Sequence, residues 1–95
     1  MRKRKRKTHG SIVRDIVAVQ KALRSICKKA NATSLFHLSI AVFQGHKYFT
    51  TLDKSIIRNT KQIKRRYKIK ICQSLYDVDN PEDLKKIAFE RGIYI

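Results

Sequence analysis

Carboxylates are scarce in this chain. Seven of its 95 residues are Asp or Glu, against 23 Lys or Arg, and the formal net charge is +16. Paired carboxylates for general acid–base work, or oxygen ligands for a hard metal ion, therefore have few sources. Four of the seven, Asp77, Asp79, Glu82 and Asp83, also crowd one short segment, where they read as the start of a helix. Cysteine is limited to Cys27 and Cys72, both in apolar patterns and neither in a CxxC. Buried free thiols in a reducing compartment are the expectation, with a disulfide left open. No apolar run approaches 18 residues, so no membrane-spanning helix is expected. There is no internal repeat and no linker rich in Gly, Ser or Pro.

Catalytic signatures are missing as well. His9 falls in the N-terminal segment, His37 in an alternating stretch and His46 beside a glycine turn, without metal-ligand spacing. No Cys-His or Ser-His pair, Walker loop or dinucleotide fingerprint is present. No catalytic residue, metal, cofactor or small-molecule substrate is expected, and the chain does not read as an enzyme.

What the sequence does hold is positive charge. Arg2, Lys3, Arg4, Lys5, Arg6 and Lys7 are six consecutive cations. A secretory signal would follow such a run with an unbroken apolar stretch, and Arg14 and Asp15 interrupt this one. Residues 1–76 carry 20 Lys or Arg and only Asp15 and Asp53 as acids, whereas residues 77–95 carry five acids and three Lys or Arg. Self-repulsion at this charge opposes compaction, and a polyanion relieves it. Apolar residues still make up 42% of the composition, enough for a core. The expected organisation is a basic tail over residues 1–10 and one domain over 11–95.

Periodicity gives the expected elements. Ile12, Ile16, Val19, Leu23, Ile26 and Ala30 share one helical face, with Ser11 as N-cap and Asn31 as stop. Phe36, Leu38, Ile40 and Val42 alternate with His37, Ser39 and Ala41, which reads as a half-buried strand. Gln44-Gly45 then reads as a hairpin turn and Lys47–Leu52 as the returning strand. Asp53 is expected to cap a second helix through Tyr67, with Ile56 and Ile63 on its thin apolar stripe. Tyr67, Ile69 and Ile71 alternate with Arg66, Lys68 and Lys70 as a third strand. Asn80, Pro81, Glu82 and Asp83 mark the start of a third helix, with Leu84, Ile87 and Ala88 inward and Gly92 at its end. Residues 93–95 offer an edge strand. The implied fold is α+β: a small antiparallel or mixed sheet of three to four strands with three helices. Leu23, Ile26, Phe36, Leu38, Ile40, Ile69 and Ile71 are the expected core.

The cations outside the tail fall in sets. Arg14, Lys21 and Lys28 lie seven apart along one edge of the first helix; Lys54, Arg58, Lys61, Lys64 and Arg65 crowd the second; Arg66, Lys68 and Lys70 share a strand face. With so few acids between them, these sets point to phosphate contacts at several heights. Tyr48, Phe49 and Tyr67 are candidates for stacking on unpaired bases, although Phe49 fits the core better. No helix-turn-helix, zinc finger or GXXG clamp is present, so backbone and shape reading is expected, which favours folded RNA.

A hexabasic tail on a tiny α+β body with basic helix edges resembles small ribosomal proteins of the archaeal and eukaryotic type. The phrases "KALRSICKKA" and "YKIKICQS" resemble segments of that group. A rival similarity is to Alba-type chromatin and RNA-binding proteins, in which "SIAVFQG" and "TLDKSIIRN" would stand for a strand, a glycine turn and a helix. The first resemblance implies a ribosomal subunit protein of the cytoplasm that clamps rRNA backbone beside neighbouring ribosomal proteins. Two other readings stand beside it: a DNA-binding chromatin or regulatory protein, and a basic adaptor for acidic proteins or membrane surfaces.

Overall fold

The strongest helical pattern in the sequence forms α1, His9–Ile26. The structure, a computed structural model, describes residues 9–73, 80, 82–83 and 87–89. Helix α1 begins two residues before Ser11 and ends well before Asn31. Arg24 holds the chain beyond that end. Its Nη1 donates to the carbonyls of Lys28 at 3.1 Å and Ala30 at 2.7 Å, so main-chain acceptors beyond the helix are satisfied by a side chain.

Asn31 starts a helix instead of stopping one. Its Oδ1 accepts from the N–H groups of Thr33 and Ser34 at 2.8 and 3.4 Å, capping α2, Ala32–Phe43. The strand expected over residues 35–43 is therefore helical, including the segment that the Alba likeness reads as a strand. Two small residues mislead the period. Ser39 and Ala41 look like the outer positions of an alternation, yet both are buried with Ser34, Leu35 and Leu38 at helical spacing. The Ser39 hydroxyl donates to the Leu35 carbonyl at 2.7 Å, so its burial leaves nothing unpaired.

Gly45 does take a positive φ, 76°, but as a helix terminator. The Gly45 N–H donates to Val42 O and the His46 N–H to Ala41 O, the paired bonds of a Schellman motif. No hairpin forms here. The chain passes from α2 into β1, Tyr48–Thr50, which lies inside the expected strand 47–52.

Asp53 caps the next helix as expected, accepting from Ser55 and Ile56 N–H. That helix is broken into α3, Lys54–Arg58, and α4, Thr60–Tyr67. At the break, Asn59 Nδ2 donates to Ser55 O at 2.7 Å and Thr60 Oγ1 to Ile57 O at 2.6 Å. Local side-chain bonds of this kind compete with the helical ladder. Tyr67 closes α4 and is not part of a strand. Lys68 follows in the left-handed region, φ 58° and ψ 35°, and turns the chain into β2, Lys70–Cys72.

The last described strand is β3, Ile87–Phe89. Its residues were expected to be helical. The start signal is present: Asn80 Oδ1 accepts from Glu82 N–H at 3.0 Å, and Glu82 and Asp83 form a short turn. Ile87 and Ala88 are buried as expected, but they pair with Tyr48 and Phe49 of the sheet. Pro81, Leu84, Gly92 and the edge strand at 93–95 lie outside the described residues.

The sheet has the order β2-β1-β3, and both pairings are parallel. The antiparallel or mixed sheet is thus corrected to an all-parallel one. Four helices, not three, stand among the described residues. The physical reason is the lost hairpin. With residues 35–43 helical, β1 has no antiparallel partner beside it in sequence, and parallel neighbours need crossovers such as α3–α4.

Both sheet faces are covered. Phe49, Ile71 and Ala88 join Leu23, Cys27, Leu35, Leu38, Ile56, Ile63 and Ile69 in the main core. Tyr48, Cys72 and Ile87 form a second cluster. Of the expected core, Leu23, Leu38, Ile69 and Ile71 are buried and Ile26 and Ile40 are half-buried. Phe36 is 40% exposed, because its position faces outward once α2 is a helix.

Candidate nucleic-acid interface

Helix α4 has a narrow inner side and a broad outer one. Ile63 is buried and Tyr67 packs against the main core. On a 3.6-residue period, Lys61, Lys64 and Arg65 then fall together on the outer side, at i, i+3 and i+4, and Lys68 follows them as the C-cap. All four are exposed. Two like-charge pairs within α4, Lys61 with Lys64 and Lys61 with Arg65, follow from this spacing, and each opposes the helix by roughly 0.2–0.5 kcal/mol. The ridge is tolerated because Ile63 and the preceding Ile56 are fully buried. Lys64 and Arg65 stand in the last turn of the helix, which also suits cations.

Just before the ridge, Lys54 and Arg58 are exposed on α3, and Arg66 is exposed beside it on α4. Residues 54–68 thus hold seven cations, all exposed, and no acid. Among the described residues no carboxylate pairs with any of the seven. Asp53, the nearest acid in sequence, has both oxygens engaged by main-chain N–H groups.

The other expected contacts are more dispersed. Arg14 and Lys21 are exposed on α1, and Lys28 with Lys29 is exposed in the loop that follows it. Lys70 is half-buried in β2 and does not share an open strand face with Lys68, which terminates α4. Arg2, Lys3, Arg4, Lys5, Arg6 and Lys7 lie outside the described residues.

Burial sorts the aromatic candidates. Phe49 is in the core. Tyr48 is buried too, and its hydroxyl donates to Asp83 Oδ2 at 3.3 Å, so it has no face for a base. Tyr67 alone of the three is partly open, with the Arg66 guanidinium over its ring at 5.5 Å from the centroid. Sequence reasoning placed Arg66 and Tyr67 in separate lists, on opposite faces of a strand. Their adjacency in "RRY" was the only signal that the two act together.

His37 and His46 lie on and just after α2. His37 stands on α2 against Phe36, with ring centroids 6.5 Å apart, and His46 Nε2 is 3.1 Å from Gln44 Oε1. Cys27 and Cys72 are buried thiols that are not joined in a disulfide. Burial pushes the Cys27 thiol pKa up, the Asp53 charge adds to that, and Arg24 opposes it. Among the described residues no group of three or more metal-ligating side chains converges, and no helix is long and apolar enough to cross a membrane. Set against known proteins, the chain matches no family model, no curated protein and no solved structure.

Proposed function

We propose that this chain is a structural RNA-binding protein, a subunit of a ribonucleoprotein such as the ribosome. The observation that carries the reading is the stretch from Lys54 to Lys68, with seven exposed cations, no acid, and apolar residues that all turn inward. Point charges spread over two short helices suit an array of phosphates better than one deep anion pocket. The exposed Arg14, Lys21 and Lys28 and the six cations of residues 2–7 extend the same chemistry. The chain's role in such a particle is to neutralise and clamp RNA backbone, with its neighbours being rRNA and other subunit proteins.

Sedimentation with and without nuclease tests this. The tagged chain should travel with ribosomal fractions and be released by RNase but not by DNase. Release by DNase would favour the chromatin reading. Insensitivity to both nucleases would favour an acidic protein or membrane surface as the partner.

A further inference from the structure

Arg66 and Tyr67 sit in the last turn of α4, beside the ridge of Lys61, Lys64, Arg65 and Lys68. The Tyr67 ring packs against the main core, and the exposed Arg66 guanidinium stands over it at cation–π distance. The core therefore fixes the ring, and the ring holds a planar cation toward solvent. A guanidinium plane is a surface on which bases stack. In a duplex, base faces are already occupied by their neighbours, and only phosphates and groove edges remain to be touched. A plane offered next to a phosphate-binding ridge is of use to a base that is not paired.

We propose that Arg66 on Tyr67 is a stacking platform for an unpaired base, so that the nucleic acid taken by α4 is single-stranded or looped at this point. The proposal rests on the nucleic-acid reading above and specifies its ligand. Residue type supports it. For phosphate alone a Lys at position 66 would serve as a point charge, whereas the flat fork of Arg adds stacking. Geometry supports it as well. Tyr67 follows Lys64 by three residues, so the ring and the guanidinium over it neighbour the Lys64 edge of the ridge. A strand whose phosphates follow the ridge passes the platform. The left-handed turn at Lys68 ends the helix directly after Tyr67, so no further helical turn extends past the ring.

The test measures binding of the full chain to three labelled oligoribonucleotides of equal length by fluorescence anisotropy. One is a base-bearing single strand, one is its duplex, and one is an abasic strand with the same phosphates. The single strand should bind about tenfold more tightly than the abasic strand, in keeping with one or two stacked bases. Arg66→Lys keeps the charge and should remove most of that difference, while duplex affinity changes by less than about twofold. Tyr67→Leu should act in the same direction, and Arg66→Lys keeps the test independent of any loss of folding in that variant. Lys61→Gln should weaken all three probes alike. Equal binding of the base-bearing and abasic strands, or an undiminished preference in Arg66→Lys, would overturn the platform and leave the electrostatic ridge standing. Failure to bind any of the three would overturn the RNA reading and the platform together.

Discussion

Asp53 and Asn31 are joined by a hydrogen bond that links two helix starts. The Asn31 N–H donates to Asp53 Oδ2 at 2.9 Å, while Asp53 Oδ1 caps α3 and Asn31 Oδ1 caps α2. One carboxylate thus fixes the α1–α2 loop against the strand-to-helix turn at the head of the basic segment. Asp53→Ala removes a cap and leaves the Asn31 N–H without its acceptor. A loss of about 1–3 kcal/mol is expected from the two effects. Asp53→Asn keeps a capping oxygen and should lose less. Urea unfolding of both variants checks the order, and an Asn variant as unstable as the Ala variant would contradict it.

Helix and strand signals were legible where apolar spacing and caps agreed. Helix α1, the Asp53 cap and the short β1 and β2 all follow from local pattern. The error at residues 35–43 came from scoring Ser39 and Ala41 as exterior because they are polar or small. Packing places small residues where helices meet, and Ser39 satisfies its own hydroxyl through Leu35 O. The error at Ile87–Phe89 has another cause. Asn80 does cap a turn, but pairing with Tyr48 and Phe49 across 39 residues of sequence is invisible to any local window. The basic site was legible as composition, and all seven cations of 54–68 proved exposed. Its shape was not, since the ridge, the break at Asn59 and the Arg66–Tyr67 pair depend on where α4 ends.

The two helix registers separate by mutation. Leu23 is fully buried, and Leu23→Ala should cost about 2–5 kcal/mol. Phe36 would be core in a strand and is 40% exposed in α2. Phe36→Ala should therefore cost less than Leu23→Ala, about 1–2 kcal/mol, since a large part of its surface stays in water on folding. Chemical denaturation of the pair decides between strand and helix for residues 35–43, and equal losses would favour the strand.

Lys68 occupies a left-handed backbone that glycine adopts freely. Lys68→Gly should raise stability by about 0.5–1 kcal/mol, the relief of backbone strain less the added freedom of the unfolded chain. The same change removes a ridge cation and should weaken RNA binding. Opposite signs for melting temperature and affinity are the expected result. A drop in both would mean that the Lys68 stem contributes packing that exceeds the strain.

Cys27 titrates above the ordinary thiol range because burial disfavours its thiolate. Below the unfolded thiol value both states are protonated and the group is neutral to stability. Above it the unfolded chain ionises first, so stability falls as pH rises toward the folded value. Denaturation at a series of alkaline pH values should show a steeper decline in the native chain than in Cys27→Ala, compared as slopes. Labelling by a thiol reagent should be slow in the folded chain and fast after unfolding.

Salt dependence separates phosphate clamping from other modes of binding. Each phosphate contact on a single strand contributes about −0.7 to the log–log slope of affinity against salt, and about −0.9 on a duplex. Six or more contacts give a slope of roughly −4 to −6. Replacing Lys61, Lys64, Arg65 and Lys68 together by Gln should reduce its magnitude by about 3 if all four touch phosphate. Deleting residues 2–7 removes six cations and no apolar side chain, so the melting temperature should hardly move while affinity falls. The ridge variant should melt at or above the temperature of the native chain, because the repulsion of Lys61 with Lys64 and Arg65 on α4 is gone. That combination, higher stability with a shallower salt slope, is what a surface selected for phosphate produces. A ridge variant that melts lower and keeps the full slope would mean that the cations of α4 serve the fold and that the RNA is held elsewhere.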